Sequence, residues 1–436
     1  MADYMESVAD RPIVPDVKPG ELLEKLPMNA PEMYESFDVI FDDFKSLVVP
    51  SMTHWNHPGF FAYFPANASP PSILAEMLTA AMGAQCMSWN TSPAAAELEH
   101  RMMDWLRDMI GLPSGFTGVI QDTASTATFV AVVTARDRSD VPLAQHRIYT
   151  SAHAHTSVLK AAKMAGYDVS QVRLVDVDAT FSMRPDALEI AMREDIEAGA
   201  VPVTVIATIG TTTTGAVDPV DRISTVAQNH NAWLHIDAAW AGAVAILPEM
   251  ADHFRGIDKA DSFVFNPHKW MLVNFDCSAF FVRDTSALMS SFASTASYLE
   301  TGEQSGRNYR DWGPQLGRRF RALKLWFVLR SYGVDGLRAL FREHLRMAVT
   351  FSDAIGEIEG LSVIAPVHFG LVCFRHDDDG QTQRLYEAIN ANDNVYLTSA
   401  VVDGRPMIRV SVGQYLTTDA DIERLVKHVK TAMFSG

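Results

Sequence analysis

Five apolar residues in the first fifty positions are spaced 4, 3, 1 and 3 apart: Met33, Phe37, Ile40, Phe41 and Phe44. This spacing places them on one face of a helix, and we predict a helical stretch over residues 31–49. A short helix with polar flanks that exposes such a face usually docks on a partner surface. The segment is therefore interpreted as an arm and not as an independent domain.

A second helix carries start and stop signals. Ser92 stands at the N-cap position and Pro93 at the first helical position, while Gly111 and Pro113 follow the segment. The apolar positions between them again have helical spacing: Leu98, Met102, Trp105, Leu106 and Met109. We predict a helix that begins at Pro93 and stops before Gly111.

From about residue 117 onward, short runs rich in β-branched and aromatic residues alternate with helix-length segments. The runs are HRIYTS, VRLVDV, VTVIATIG, AWLHIDA, SFVFN and CSAFFV. Strands separated by helices predict an α/β domain with a mainly parallel central sheet, and ligands then bind at the carboxyl ends of its strands.

The pattern changes again after about residue 316. A long helix is predicted from Phe320 to Tyr332, followed by further helices and by strands at LVCFRH and MIRVSV. We therefore predict three parts: an N-terminal arm over 1–67, a large α/β domain over 68–320 and a small α+β domain over 321–436.

Composition and charge exclude several classes of protein. The chain has 436 residues, of which 48% are hydrophobic and 20% charged, and it carries a net charge of −17. Such a composition builds a large core, and the negative charge argues against nucleic-acid binding, because no net positive field is present to release phosphate counterions.

Membrane and secretory signals are not recognised in the sequence. No apolar run reaches the roughly 18 residues of a transmembrane helix, and the acidic start MADYMESVAD differs from a signal peptide. The three cysteines, Cys86, Cys277 and Cys373, are far apart and form no CxxC pair, which argues against a disulfide framework or a cysteine zinc site. We expect a cytoplasmic protein that uses no metal.

The first candidate for chemistry is Lys269, in the segment NPHKW directly after the strand SFVF. At this position the ammonium group would be desolvated, which lowers the pKa of the lysine and makes it a nucleophile towards carbonyl groups. The alternative is an ordinary surface lysine.

Asp237 is the second candidate, at the end of the strand AWLHI in the segment HIDAAWAG. A carboxylate buried in this apolar stretch needs a cationic partner, which a pyridinium nitrogen would supply. The alternative is a helix N-cap.

Three small hydroxyl residues enter a predicted helix in QDTASTATF: Thr123, Ser125 and Thr126. Hydroxyl groups, backbone N–H groups and the positive end of a helix dipole together suit a phosphate. The alternative is plain N-capping of the helix.

Two histidines, His153 and His155, follow the strand HRIYT. Metal binding is disfavoured, because no carboxylate ligand pattern accompanies the His-x-His pair. A structural role remains open beside a role in ring stacking or acid–base chemistry. The motifs GxGxxG, GxxxxGK[ST], GxSxG and HExxH are absent, so dinucleotide, P-loop, serine-hydrolase and zincin interpretations lose their usual support.

A strand-end lysine, a strand-end aspartate, a phosphate cradle and a histidine are the parts that pyridoxal phosphate requires. The sequence resembles the pyridoxal-phosphate-dependent group II decarboxylases, and among them the aromatic-L-amino-acid decarboxylases. The resemblance is carried by HPGFFAYFPA, SWNTSPAAAELEHRMMDWL, VIQDTASTAT, ATIGTTTTGAVDPV, WLHIDAAWAG, DSFVFNPHKWMLVNFDCSAFFV and LGRRFRALKLWFVLRSYGV. It implies a fold-type I, PLP-dependent transferase-like α/β fold with helices on both faces of the sheet.

The resemblance also implies a role for individual residues. Lys269 would bind the cofactor covalently, Asp237 would pair with the pyridine nitrogen, and His155 and Ala239 would pack on opposite faces of the ring. The remaining cofactor positions flank the phosphate and the lysine: Thr123, Ala124, Ser125, Thr212, Asn266 and His268.

The substrate positions implied by the resemblance are mostly aromatic: Trp55, Tyr63, Phe64, Pro65, Met87, Gly317 and Arg409. Core packing is the alternative for the aromatic residues. Gly317 would leave room for an indole ring, and Arg409 would lie near the substrate carboxylate. Tyr298, which follows Lys269 by 29 residues, would donate a proton to the substrate Cα.

Some positions depart from the family pattern. Ala66 and Met87 replace a hydroxyl residue and a phenylalanine of animal members, which weakens the prediction of catechol recognition. Asp122 and Thr123 replace a Gly-Ser pair, so the phosphate loop is expected to differ in detail.

The resulting hypothesis is a homodimeric decarboxylase of aromatic L-amino acids, with the active site at the subunit interface and the arm wrapped around the partner. Three alternatives remain. An aromatic acetaldehyde synthase is disfavoured by Tyr298, and a decarboxylase of acidic or imidazole amino acids is disfavoured by the aromatic pocket. The third alternative is a non-catalytic scaffold that keeps the fold.

Overall fold

The computed structural model of the chain describes residues 1–293, 306–392 and 394–434. Its central sheet has seven strands in the order β1-β7-β6-β5-β4-β2-β3. They are β1 Thr117–Gln121, β2 His146–Ser151, β3 Val172–Val175, β4 Val201–Thr208, β5 Trp233–Asp237, β6 Ser262–Phe265 and β7 Ser278–Val282. Neighbours from β3 to β6 are parallel, whereas β7 runs antiparallel to both β6 and β1. The mainly parallel sheet is thus confirmed.

Helices precede the sheet, alternate with its strands and follow it. They are α1 Ala2–Glu6, α2 Glu21–Lys25, α3 Phe37–Asp43, α4 Pro70–Met82, α5 Pro93–Met109, α6 Ala124–Asp137, α7 Ser157–Met164, α8 Pro185–Glu197, α9 Val220–Asn229, α10 Pro267–Trp270, α11 Thr285–Phe292, α12 Arg321–Gly356, α13 Asp379–Asn390 and α14 Asp419–Phe434. Within the described ranges, no helix is both long and apolar enough to cross a membrane.

Both faces of the sheet are covered, as the side chains of β5 show. Leu234 and Ile236 point into one hydrophobic core, which they share with Ile223 of α9. Trp233 points into a second core together with Ala127 of α6. Because successive side chains of a strand alternate between faces, a strand covered on both sides reads as a continuous apolar run, and this is how the sequence reads here.

The N-terminal helix is shorter than the predicted stretch over 31–49. Helix α3 begins at Phe37, where the Ser36 hydroxyl accepts a hydrogen bond from Val39 N–H at 3.5 Å. A π-helical turn over Phe44–Val48 continues it. Its aromatic face has little to pack against within the chain, because Phe37, Phe41 and Phe44 are 74%, 42% and 46% exposed.

Helix α5 begins at Pro93 and ends at Met109, in agreement with the prediction. The capping of its first turn differs from the expectation, because the Ser92 hydroxyl makes no cap hydrogen bond. That hydroxyl instead donates to the Gln85 carbonyl at 2.9 Å and so ties the helix start to the preceding loop.

The C-terminal part forms a second, antiparallel sheet in the order β10-β11-β9-β8, with β8 Leu361–Val363, β9 Leu371–His376, β10 Thr398–Val402 and β11 Arg405–Ser411. Helix α12 leads into it and breaks at Gly333, where φ is +65°, directly after the predicted helix end at Tyr332. A separate hydrophobic core includes Phe351 of α12 and Phe374 of β9. The domain boundaries at residues 67 and 320 remain predictions.

Candidate active site

A pocket opens where the carboxyl ends of the parallel strands meet. Asp237 ends β5, Lys269 lies in the short helix after β6, and Thr208 ends β4. The N-terminus of α6 and the loop after β2 complete the wall. All the predicted cofactor residues line this one pocket: Thr123, Ala124, Ser125, His155, Thr212, Asp237, Ala239, Asn266, His268 and Lys269. Parallel α/β sheets bind ligands at this edge.

Lys269 is held from its backbone and partly desolvated at its amine. The buried Asn67 side chain donates to the Lys269 carbonyl at 2.7 Å, and Nζ lies 5.1 Å from the centre of the Phe64 ring. Burial lowers the pKa of Lys269 to about 8, Asp237 opposes this shift, and Arg409 adds to it. Roughly a tenth to a fifth of the amine is therefore neutral near physiological pH, far more than for an exposed lysine, and this neutral form can attack a carbonyl group.

Asp237 is only 4% exposed. Its Oδ1 accepts a hydrogen bond from Ala239 N–H at 3.0 Å, but the next helical turn begins at Ala241 with Trp240 as its N-cap, so Asp237 is not the helix N-cap of the alternative interpretation. Among the residues that the structure describes, no basic side chain forms an ion pair with it. Lys269 attracts the carboxylate across the pocket, but without a direct ion pair the buried charge is only partly compensated, and a protonated pyridine nitrogen would supply a direct partner. This donor set fits pyridoxal phosphate.

The start of α6, where the phosphate cradle is predicted, borders the pocket. Thr123 caps the helix by accepting from Thr126 N–H at 3.3 Å, so N-capping occurs together with the pocket contact. The first N–H groups of a helix lack intrahelical acceptors and favour an anion. Asp122 stands directly before this cradle, where its carboxylate accepts from Thr123 N–H at 2.6 Å and from Gln315 Nε2 at 3.0 Å. The expected difference between this loop and the phosphate loop of the family stays a prediction.

Two pocket histidines are fixed as acceptors at Nδ1. His155 accepts there from Ser157 N–H at 3.1 Å, and His268 accepts from Cys277 N–H at 2.9 Å. Burial lowers the pKa of His155, and burial together with Lys269 lowers the pKa of His268 to about 3. Both rings are therefore neutral at physiological pH, so His155 can stack on a ring without adding charge.

An aromatic wall extends the pocket beyond Lys269, and five of the predicted substrate residues belong to it: Trp55, Tyr63, Phe64, Pro65 and Arg409. The Trp55 and Tyr63 rings stack with centroids 5.5 Å apart. The buried Arg409 guanidinium donates to the Thr212 carbonyl at 2.6 Å and to Thr398 Oγ1 at 3.0 Å. Arg409 thus holds the Thr212 loop and lines the aromatic part of the pocket at the same time.

Two predicted substrate residues lie elsewhere in the chain. Met87 and Gly317 are outside the pocket that contains Lys269. Their segments run side by side, since Cys86 N–H donates to the Arg318 carbonyl at 2.9 Å, and a Cβ on Gly317 would lie 3.1 Å from Gln85 Nε2. Tyr298 lies outside the described residues. The roles of all three residues stay predictions.

Two residues that shape the pocket are not predicted from the sequence, Asn67 and Phe275. Asn67 joins the Lys269 and Gly413 carbonyls through one amide group, and Phe275 lines both parts of the pocket although it is 58% exposed. Phe275 lies six positions after Lys269, and its closeness to the lysine in the sequence is a signal that could have identified it. Nothing in the local sequence of Asn67 indicates its contacts with segments 202 and 346 positions away.

The chain is similar to known proteins over most of its length. A family model described as the pyridoxal-dependent decarboxylase conserved domain matches residues 19–377. Tryptophan decarboxylase 2 of Oryza sativa subsp. japonica is 38% identical over 97% of this chain and 90% of its own length. Phenylacetaldehyde synthase of Arabidopsis thaliana is 36% identical over 99% and 92%. The crystal structure of the Oryza sativa tryptophan decarboxylase with PLP and tryptamine superposes with a TM-score of 0.96, at 35% identity, and covers 99% of this chain and 95% of that one.

Proposed function

This chain belongs to the pyridoxal-dependent decarboxylase family, and we propose that it decarboxylates an aromatic L-amino acid to the corresponding arylalkylamine and CO₂. Its cofactor is pyridoxal phosphate. The observation that carries the proposal is the meeting of Lys269 and Asp237 with an aromatic wall, since Trp55, Tyr63 and Phe64 border the same space as the lysine.

The cofactor and the residues of the pocket have different roles in the proposed reaction. Pyridoxal phosphate supplies an electron sink for the pair that remains when the bond from Cα to the carboxylate breaks. When the cofactor is bound, Lys269 would hold it covalently, and Asp237 would keep a proton on its pyridine nitrogen. His155 is placed to pack on the ring, while the aromatic wall orients the substrate side chain and excludes water. Tyr298 is the proposed donor of the final proton to Cα.

The second candidate function is aromatic acetaldehyde synthesis, in which decarboxylation is followed by oxidative deamination. It is favoured by the relationship to a phenylacetaldehyde synthase, which is nearly as similar to this chain as the tryptophan decarboxylase is. Tyr298 favours the amine product, because a phenol can return a proton to Cα.

We also propose that the chain acts as a homodimer with the active site at the interface. Among the described residues, no hydrophobic core covers the exposed aromatic face of α3, which supports an arm that packs on a second copy. Met87 and Gly317 lie outside the pocket of their own chain, so a dimer is the arrangement in which they can line a pocket.

Release of CO₂ from a panel of amino acids tests the proposed substrate class. The panel contains tryptophan, 5-hydroxytryptophan, tyrosine, DOPA and phenylalanine, with glutamate and histidine as the non-aromatic controls. We expect turnover of at least one aromatic member and none of glutamate or histidine. A preference for glutamate or histidine would contradict the proposal, and visible cofactor absorbance without turnover of any member would favour a scaffold.

A further inference from the structure

A chain of buried polar side chains lies beneath Asp237. His235 precedes Asp237 by two positions in β5, so both side chains point to the same face of the sheet. His235 lies opposite Ser262 in the register between β5 and β6. Helix α6 covers this face and contributes Thr128. The side chains of His235, Ser262 and Thr128 are all fully buried, although each carries polar atoms.

The hydrogen bonds of this group have one consistent direction. The Trp233 indole N–H can only donate, and it donates to Ser262 Oγ at 2.8 Å. The Ser262 hydroxyl is then free to donate to His235 Nδ1 at 2.9 Å. His235 consequently carries its proton on Nε2, which lies 3.5 Å from Thr128 Oγ1. Burial lowers the pKa of His235 to about 4, so its ring is neutral and these hydrogen-bonded side chains add no charge beneath Asp237.

This polar chain links the two ends of the cofactor site. Two residues of a strand span about 7 Å, so His235 lies that far behind Asp237. Four residues of a helix span about 6 Å, so Thr128 lies that far behind Ala124 in the phosphate cradle. The contact between His235 and Thr128 therefore joins β5 to α6. It lies at a similar distance behind the Asp237 carboxylate and behind the start of α6.

We propose that the hydrogen-bonded side chains of Trp233, Ser262, His235 and Thr128 act together as a positioning unit. This unit fixes the distance between the Asp237 carboxylate and the N-terminus of α6. A rigid ring with a nitrogen on one side and a phosphate arm on the other gains from both contacts only when this distance is correct. The inference concerns the cofactor and does not depend on the proposed substrate.

The test compares the binding of two probes to the apo-protein: pyridoxal phosphate and pyridoxal, which lacks the phosphate. Thr128→Val removes the hydroxyl and keeps the shape of the side chain, whereas Thr128→Ser keeps the hydroxyl. Thr204→Val is the matched control, because the buried Thr204 hydroxyl in β4 has no hydrogen-bond partner among the described residues. Ser262→Ala, paired with Ser262→Thr, interrupts the chain at a second point.

The measured quantity is the ratio of the dissociation constants of pyridoxal and pyridoxal phosphate. We expect Thr128→Val and Ser262→Ala to reduce this ratio by about tenfold, the effect of one buried hydrogen bond, and Thr128→Ser to restore it. Thr204→Val should leave it unchanged. A purely structural role would lower the melting temperature of the apo-protein but weaken both probes by the same factor. Such a result, or an unchanged affinity for both probes, would overturn the proposal.

Discussion

Replacing Asp237 with Asn should separate the electrostatic role of this carboxylate from its structural role. Asparagine has nearly the same shape and its Oδ1 can still accept the hydrogen bond from Ala239 N–H, so the substitution removes mainly the charge. Because Asp237 is almost fully buried, its interaction with a cationic ring nitrogen is poorly screened by solvent.

The magnitude follows from the charge and the burial. A charge-assisted hydrogen bond contributes about 2–3 kcal/mol, which corresponds to a dissociation constant for pyridoxal phosphate that is roughly 30- to 150-fold higher in the variant. The apo-protein should behave differently, because the variant removes the desolvation cost of a buried carboxylate that forms no direct ion pair within the described residues. Its melting temperature is expected to stay the same or to rise.

The assay combines a fluorescence titration of the apo-protein with pyridoxal phosphate and a thermal melt of both forms. Asp261→Asn is the control, since that carboxylate also accepts a backbone hydrogen bond, from Leu234 N–H at 2.8 Å, but lies outside the pocket. We expect the control to bind the cofactor normally. Normal cofactor affinity in Asp237→Asn, or a marked loss of apo-protein stability, would refute the reasoning.

Four further predictions address the lysine, its protonation, the arm and the product. Lys269→Ala should abolish the visible absorbance of the lysine-bound cofactor, and borohydride reduction of the native holoenzyme should label the peptide that contains residue 269; a label on another lysine would contradict this. Because burial lowers the pKa of Lys269 to about 8, the rate at which the apo-protein captures the cofactor should rise up to about pH 8 and then level off, whereas a rise continuing to pH 10 would indicate an unperturbed amine. Phe41→Asp should shift the protein from dimer to monomer in sedimentation, with Asp42→Asn as the control, because an ionised side chain cannot stay in an apolar interface. Tyr298→Phe should release CO₂ but form aldehyde and peroxide under air; unchanged amine formation would assign the proton to another group.

The sequence predicts the centre of the site better than its borders, for a physical reason. Lys269 and Asp237 follow short apolar strands, and parallel strands bring their carboxyl ends to one edge of a sheet, so a local pattern already implies proximity. Asn67 reaches the Lys269 carbonyl across 202 positions, a contact that depends on tertiary packing and leaves no local pattern. Ser92 similarly has the residue type of an N-cap, but its hydroxyl donates to the Gln85 carbonyl and its oxygen accepts no hydrogen bond from the first turn of α5.

The strands and helices, like the site residues, are predicted where a local sequence pattern determines them and missed where it does not. The predicted runs between residues 146 and 282 are strands because β-branched and aromatic side chains are buried on both faces of the sheet. The strand β1 has the sequence TGVIQ, in which a glycine interrupts a short apolar run, so its local pattern does not predict a strand. Its Gly118 is needed, because a Cβ there would lie 2.4 Å from Met103 Cε. The arm helix starts later than predicted, because the capping Ser36 sets its first turn at Phe37.

The stoichiometry of the products tests the central claim most directly. The holoenzyme is incubated under air with the aromatic amino acid that it turns over fastest, and CO₂, arylalkylamine, aldehyde and hydrogen peroxide are measured in the same sample. The proposed function predicts one amine for each CO₂, with no peroxide above the level of a Lys269→Ala control. Equal amounts of aldehyde, peroxide and CO₂ with little amine, or no CO₂ from any aromatic amino acid, would contradict it.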